Sequence, residues 1–168
     1  MKDKSKKQSD AAGVAPPHAQ PDARGLRVGL VVSTYHSEIT SALEAGARSA
    51  YQNAGGVEAD LLVVHAPGAF ELPVLAAALL RRPDVAAVVV LGCVVQGQTR
   101  HDRYICTAVT DQCSRLAVET GKPLGYGLLT VNDLKQARAR AGGRHGNKGA
   151  EAMHAALCTV RTLEGVRR

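Results

Sequence analysis

Residues 85–101 read VAAVVVLGCVVQGQTRH. The first part, VAAVVVLGCVV (85–95), is apolar throughout and rich in β-branched residues, with no alternation of polar and apolar positions. That pattern belongs to a strand covered on both faces, and such strands occur in parallel sheets sandwiched between helices. The polar turn that follows leads into a helical pattern over 102–120, so this strand hands over to a helix at its carboxyl end.

The same unit repeats on either side. Upstream, LRVGLVVS (26–33) precedes EITSALEAGARSAYQNAGG (38–56), where Ile39, Leu43, Ala47 and Ala50 keep helical spacing and Gly55-Gly56 stops the helix. DLLVVHA (60–66) then precedes a helical pattern over 70–82. Downstream, the strand PLGYGLLT (123–130) is followed by helices over 133–141 and 148–165. Strands alternating with helices imply parallel pairing through right-handed crossovers, so the expected fold is α/β, a three-layer α/β/α sandwich around about four parallel strands.

Composition agrees. The chain has 168 residues, a length that one apolar core can serve. Hydrophobic residues make up 45% and aromatics only 3%, so the core must come from Val, Leu, Ile and Ala. Residues 1–24 are polar, contain proline and lack periodicity, and are expected to form a flexible extension ahead of a domain over 25–168. No apolar run reaches the roughly 20 residues of a membrane span. The Lys-rich start has no apolar region behind it, which points to a cytoplasmic protein. Cys93, Cys106, Cys113 and Cys158 show neither a C-x-x-C pair nor zinc-finger spacing, so no metal site is expected and the four are read as buried thiols.

The formal charge of +6 raises nucleic acid or an anionic ligand as a partner. Part of it sits in MKDKSKK, and part in the acid-free stretch carrying Lys135, Arg138, Arg140, Arg144 and Lys148, which also reads as a solvated helix face. With one Phe, four Tyr and no Trp, the chain offers no stacking platform for nucleic acid.

Ligands of such sheets bind beyond the carboxyl ends of the strands. Thr34, Tyr35 and His36 follow the first strand, 67–71 (PGAFE) the second, 96–101 (QGQTRH) the third and Thr130 to Asn132 the fourth. At 96–101 the free N–H groups of a helix start suit an anion such as phosphate. Thr99 adds a hydroxyl donor there, and His101 a group able to exchange protons near neutral pH. At 67–71 the backbone of Gly68 to Phe70 can bind a flat polar ligand and Glu71 can accept from hydroxyls, although a carboxylate in a first helical turn also simply favours the helix dipole. RAGGRHGNKG (140–149) lacks the order of a Walker motif, and Arg140 reads better as a side-chain phosphate ligand.

PGAFELP, LGCVVQGQTRH, GLLT followed by QARARAG, and GNKGAEA occur in an order and spacing that resemble the lumazine synthases of riboflavin biosynthesis, from about Leu26 to Leu163. The resemblance implies a flavodoxin-like sandwich. It also implies condensation of 5-amino-6-(D-ribitylamino)uracil with 3,4-dihydroxy-2-butanone 4-phosphate, giving 6,7-dimethyl-8-ribityllumazine, phosphate and water, with no metal or organic cofactor. By motif position His101 matches the proton-transfer histidine, Arg140 the phosphate-holding arginine, and Gln98 with Thr99 the loop on its other side. Glu71 matches the ribityl-contacting carboxylate, beside Ala69 and Phe70. Cys93, Val94 and Val95 match the strand end that meets the pyrimidine, Tyr35 a stacking ring, Tyr126 an aromatic wall and Lys148 a lysine facing the pyrimidine carbonyl. In the family Tyr126, Arg140 and Lys148 would come from a neighbouring subunit. That makes a homo-pentamer, or a multiple such as a decamer or a sixty-subunit icosahedral shell, the expected assembly, with riboflavin synthase as a candidate partner. The chain departs from the family pattern at Tyr35-His36, where Phe-Asn is common, at Gln96, where Arg is usual, and at Asp102-Arg103 after the histidine. A non-catalytic flavin or lumazine binder on the same scaffold is the alternative.

Overall fold

The computed structural model of the protein describes residues 21–167. Four strands, β1 (Val28–Ser33), β2 (Leu61–Ala66), β3 (Ala87–Val95) and β4 (Leu124–Val131), form one parallel sheet in the order β2-β1-β3-β4. The helices are α1 (Ser37–Asn53), α2 (Leu72–Leu80), α3 (His101–Thr120), α4 (Leu134–Arg140) and α5 (Lys148–Val166). The expected sandwich and its parallel sheet are therefore present, with boundaries shifted by one or two residues at most ends.

The unbroken apolar runs are explained by the two core layers. Along β3, Ala87, Val89, Leu91 and Cys93 pack with α1 and α5, whereas Val88 and Val90 pack with α2 and α3. Successive side chains of a strand point to opposite faces, so a strand that is covered twice has no polar position to spare. Tyr51 is the largest fully buried side chain of the first layer, and its hydroxyl donates to the Leu26 carbonyl at 2.7 Å. Its ring is thus buried without stranding the polar tip.

The first expectation to be corrected concerns the N-terminus. Residues 1–20 lie outside the described residues, but 21–24 belong to the packed body rather than to an extension. Ala23 is fully buried and its N–H donates to the Ala54 carbonyl at 2.9 Å, while the Arg161 guanidinium holds the carbonyls of Asp22 and Arg24. The second concerns the thiols. Cys93 and Cys113 are buried, whereas Cys106 and Cys158 are only partly covered.

Between α4 and α5 the chain forms a hairpin of two very short antiparallel strands, β5 (Ala141–Gly143) and β6 (Gly146–Asn147), instead of a plain loop. Gly142 and Gly146 sit at φ 110° and 73°, backbone angles that a side chain would strain, so the glycines allow this reversal. The hairpin delivers Asn147 as the N-cap of α5, where its Oδ1 accepts from the N–H groups of Gly149 and Ala150. Its Nδ2 meanwhile donates to the Ala42 carbonyl of α1 at 2.8 Å. Gly46 and Gly149 make room for that junction. A Cβ on Gly149 would lie 2.1 Å from the Leu43 carbonyl oxygen, and one on Gly46 would lie 2.3 Å from the Asn147 side chain.

Candidate active site

The sheet order reverses direction between β1 and β3, since the chain runs from β1 outward to β2 and then crosses to β3 on the other side. Loops leaving the two central strands diverge at such a point and open a crevice at the carboxyl edge. A cleft of about 650 Å³ lies there. Its walls include Tyr35, Ala69, Phe70, Glu71, Cys93, Val94, Val95, Thr99 and His101, all singled out in the sequence, together with His36, Gln96 and Asp102. Ile105 also lines it and was not anticipated, because a lone apolar residue one turn into a helix carries no signal of its own. Gln98 lies in the exposed loop before α3 and does not line this cleft.

Local structure explains how each group is held. His101 is the first residue of α3, where the N–H groups have no partners within the helix and favour an anion. Glu71 stands just before α2, at its N-cap position, and makes no capping hydrogen bond. Its carboxylate stands at the positive end of the helix dipole. It folds over Gly68, where an added Cβ would come within 3.0 Å of Oε2. Tyr35 is 65% exposed and meets His36 edge to face with ring centroids 4.7 Å apart. His36 itself takes φ 56°, left-handed backbone that a non-glycine residue seldom adopts. Thr34 ties the first two loops together by donating its hydroxyl to the Pro67 carbonyl at 3.2 Å.

At the base of the cleft, burial pushes the Cys93 thiol up to about 11, so it is an apolar contact rather than a nucleophile. Asp102 raises the Cys106 thiol as a cause secondary to burial. Its charge is therefore felt one turn along α3, as residues four apart on a helix require.

Tyr126, Arg140 and Lys148 lie elsewhere. They line a separate cleft of about 520 Å³ along the edge strand β4, which shares no lining residue with the first. Arg138 and Arg140 sit two residues apart on α4, yet they differ in availability. Arg138 makes two bonds to the Glu38 carboxylate, at 2.8 and 3.1 Å. Arg140 donates only to the Gln136 carbonyl of its own helix among the described residues, leaving most of its guanidinium for an anion. Lys148 is paired with Glu151 at 2.6 Å, a partner missed in the sequence although Lys-x-x-Glu is a helical contact spacing. The basic stretch is thus partly neutralised, which weakens the reading of it as a nucleic-acid surface.

A larger groove of about 760 Å³ lies between α1 and α5, lined by Pro21, alanines, Asn53, Glu151 and His154. It takes Ala150 and Glu151 from the GNKGAEA stretch but none of the candidate site residues named from the sequence. Among the described residues no group of His, Cys, Asp and Glu has a metal-binding arrangement, and no helix is long and apolar enough to cross a membrane.

The model of the family described as 6,7-dimethyl-8-ribityllumazine synthase matches residues 25–164. The chain belongs to this family. A 6,7-dimethyl-8-ribityllumazine synthase of Kineococcus radiotolerans is 47% identical over 157 residues, covering 92% of this chain and 96% of the relative. Synthases of the same name are 45% identical over 161 residues in a Mycobacterium species and 42% identical over 146 residues in Thermus thermophilus. These cover 95% and 87% of the chain, and 98% and 93% of the relatives. The match runs through both clefts, so the family frame spans the divided set of residues rather than one part of it.

Proposed function

We propose that this protein is an enzyme of riboflavin biosynthesis that condenses 5-amino-6-(D-ribitylamino)uracil with 3,4-dihydroxy-2-butanone 4-phosphate to give 6,7-dimethyl-8-ribityllumazine. The observation that carries this is the cleft at the switch point, which gathers an imidazole, an uncommitted carboxylate, an aromatic ring and an apolar strand end around one cavity. Tyr35 stacks on the flat heterocycle, Cys93 to Val95 lie beneath it, and Glu71 with the Ala69–Phe70 backbone takes the ribityl hydroxyls. The phosphate sits toward Gln98, Thr99 and the start of α3, with Arg140 closing over it.

The chemistry needs protons moved at each stage. The amine of the uracil attacks the ketone, and water leaves as the imine forms. Phosphate is then eliminated, and the ribityl nitrogen closes the ring with loss of a second water. His101 exchanges these protons, a contribution of about 10² to 10⁴ in rate for a positioned acid or base.

Because Tyr126, Arg140 and Lys148 line a different cleft from His101, the same reading makes the site a shared one, built from the His101 cleft of one subunit and the β4 edge of the next. A ring of identical head-to-tail contacts satisfies that arrangement, and a pentamer or a multiple of pentamers in the cytoplasm is the assembly proposed. The decisive experiment mixes purified protein with the two substrates and follows lumazine by its fluorescence. Formation at the uncatalysed background rate sinks the proposal, and tight riboflavin binding without turnover would replace it with a binding role.

A further inference from the structure

We infer that Thr110 is a positioning residue for Tyr126, holding its ring through a directed pair of hydrogen bonds and so setting one wall of the substrate site. The inference deepens the proposed function and rests on it. Thr110 lies on the exposed side of α3, and sixteen residues separate it from Tyr126 on β4. The two hydroxyl oxygens are 2.7 Å apart.

That distance alone leaves the donor undecided, because either oxygen could supply the proton. A second contact decides it. Thr110 Oγ1 is also 2.6 Å from the Cys106 carbonyl oxygen, one turn back along α3. A carbonyl cannot donate, and a threonine hydroxyl has a single proton, so that proton goes to Cys106. The remaining contact then requires the Tyr126 phenol to donate to Thr110. Reversing it would leave two bare lone pairs facing each other at 2.6 Å. The direction is Tyr126 O–H to Thr110 O–H to Cys106 C=O.

A phenol bound this way has lost its torsional freedom and its proton is committed. Tyr126 therefore lines the cleft that holds Arg140 and Lys148 as a fixed wall rather than as a mobile donor. Burial raises the phenol further above its ordinary titration range, which keeps it neutral beside these cations. The neighbouring strand positions support the same orientation. Leu124 and Leu128, two residues either side of Tyr126, pack with the α2 and α3 layer, so the register of β4 aims Tyr126 toward α3.

The test uses steady-state kinetics of the full chain with both substrates, on wild type, Thr110→Val, Thr110→Ser, Tyr126→Phe and the double variant Thr110→Val/Tyr126→Phe. Valine is close to threonine in shape and is likewise β-branched, and position 110 is exposed, so folding is not at stake. The expected result for Thr110→Val is a KM for the uracil substrate raised roughly 2- to 10-fold, the worth of one hydrogen bond, with kcat nearly unchanged. Thr110→Ser restores the wild-type value, and Thr110→Val adds nothing once Tyr126→Phe is present. An unchanged KM in Thr110→Val overturns the inference, as does an equal loss in the Tyr126→Phe background, while lumazine formation by the wild type shows that the proposed function stands in either case. A wild type that makes no lumazine overturns both.

Discussion

Around His101 the site is made of loops that leave the sheet where its strand order reverses, whereas around Arg140 it is made of an edge strand, a short helix and the first turn of α5. The first region follows from topology, since any ligand of a doubly wound sheet is drawn to that crevice. The second has no such rule behind it. Its position depends on a hairpin with two left-handed glycines and on the Asn147 junction to α1. The first region holds the His101 imidazole and the Glu71 carboxylate, and the second holds Arg140 and Lys148. In the proposed reading, turnover of the phosphorylated substrate draws on both regions.

The largest effect that tests this division is on the chemistry side. His101→Ala is expected to lower kcat about 10² to 10⁴-fold, with KM for the phosphate substrate little changed. A loss confined to KM would move His101 out of the proton-transfer role. Arg140→Ala should do the reverse, raising the KM for the phosphate substrate about 10- to 100-fold as a charge-assisted bond to the anion is lost. Arg138→Ala, whose guanidinium is already committed to Glu38, should change that KM far less. Equal effects of the two arginines would erase the distinction drawn between them.

Mixing the two impaired variants, assayed with the phosphate substrate well below the raised KM of Arg140→Ala, sharpens the comparison further. If each site takes its His101 cleft from one subunit and its Arg140 from the next, co-refolded His101→Ala and Arg140→Ala chains in equal amounts should recover about a quarter of wild-type activity. No recovery, with assembly verified by light scattering, would place both groups on one subunit.

Smaller effects concern what holds the second region in place. Asn147→Ala removes the cap of α5 and a bond to α1, and is expected to lower stability by about 0.5 to 2 kcal/mol by chemical denaturation. The Glu38–Arg138 pair joins the first turn of α1 to α4, and the hydrogen-bonded guanidinium holds the Glu38 carboxyl below its ordinary value. A carboxyl depressed on folding stabilises the protein above its unfolded pKa, and that contribution disappears as the pH falls through the folded value. Glu38→Gln should therefore flatten the acid limb of the melting temperature against pH, while shifting the midpoint at neutral pH less than Asn147→Ala does. An unaltered acid limb would remove this pair from the links between the two regions.

How much could be read in the sequence divides along the same line. The unbroken run of β3 by itself marks a doubly covered strand, and the strand-to-helix handover by itself puts His101, Glu71 and Tyr35 on one edge. These features are local or follow from general topology. Near the second region, Arg140 and Lys148 could be named, but the hairpin between them read only as a glycine-rich basic loop. Neither the Asn147 bond to Ala42 nor the Thr110 contact to Tyr126 could be foreseen, because each joins positions that only the packed helices bring together. The packed N-terminal residues 21–24 were missed for the same reason, since what holds them is the distant Arg161. Glu71 was legible as a residue, but its freedom from capping duty depended on where α2 begins.

The tight seam between α1 and α5 changes how a mutational survey of this protein would have to be interpreted. Gly46 and Gly149 touch no substrate in the proposed site, yet Lys148 sits beside one of them and depends on both for its seat. A screen scored only on lost turnover would rank Gly46→Ala with the residues that meet the ligand. Pairing that score with a measure of folded protein would return the glycine to its true class, a spacer whose virtue is the side chain it lacks.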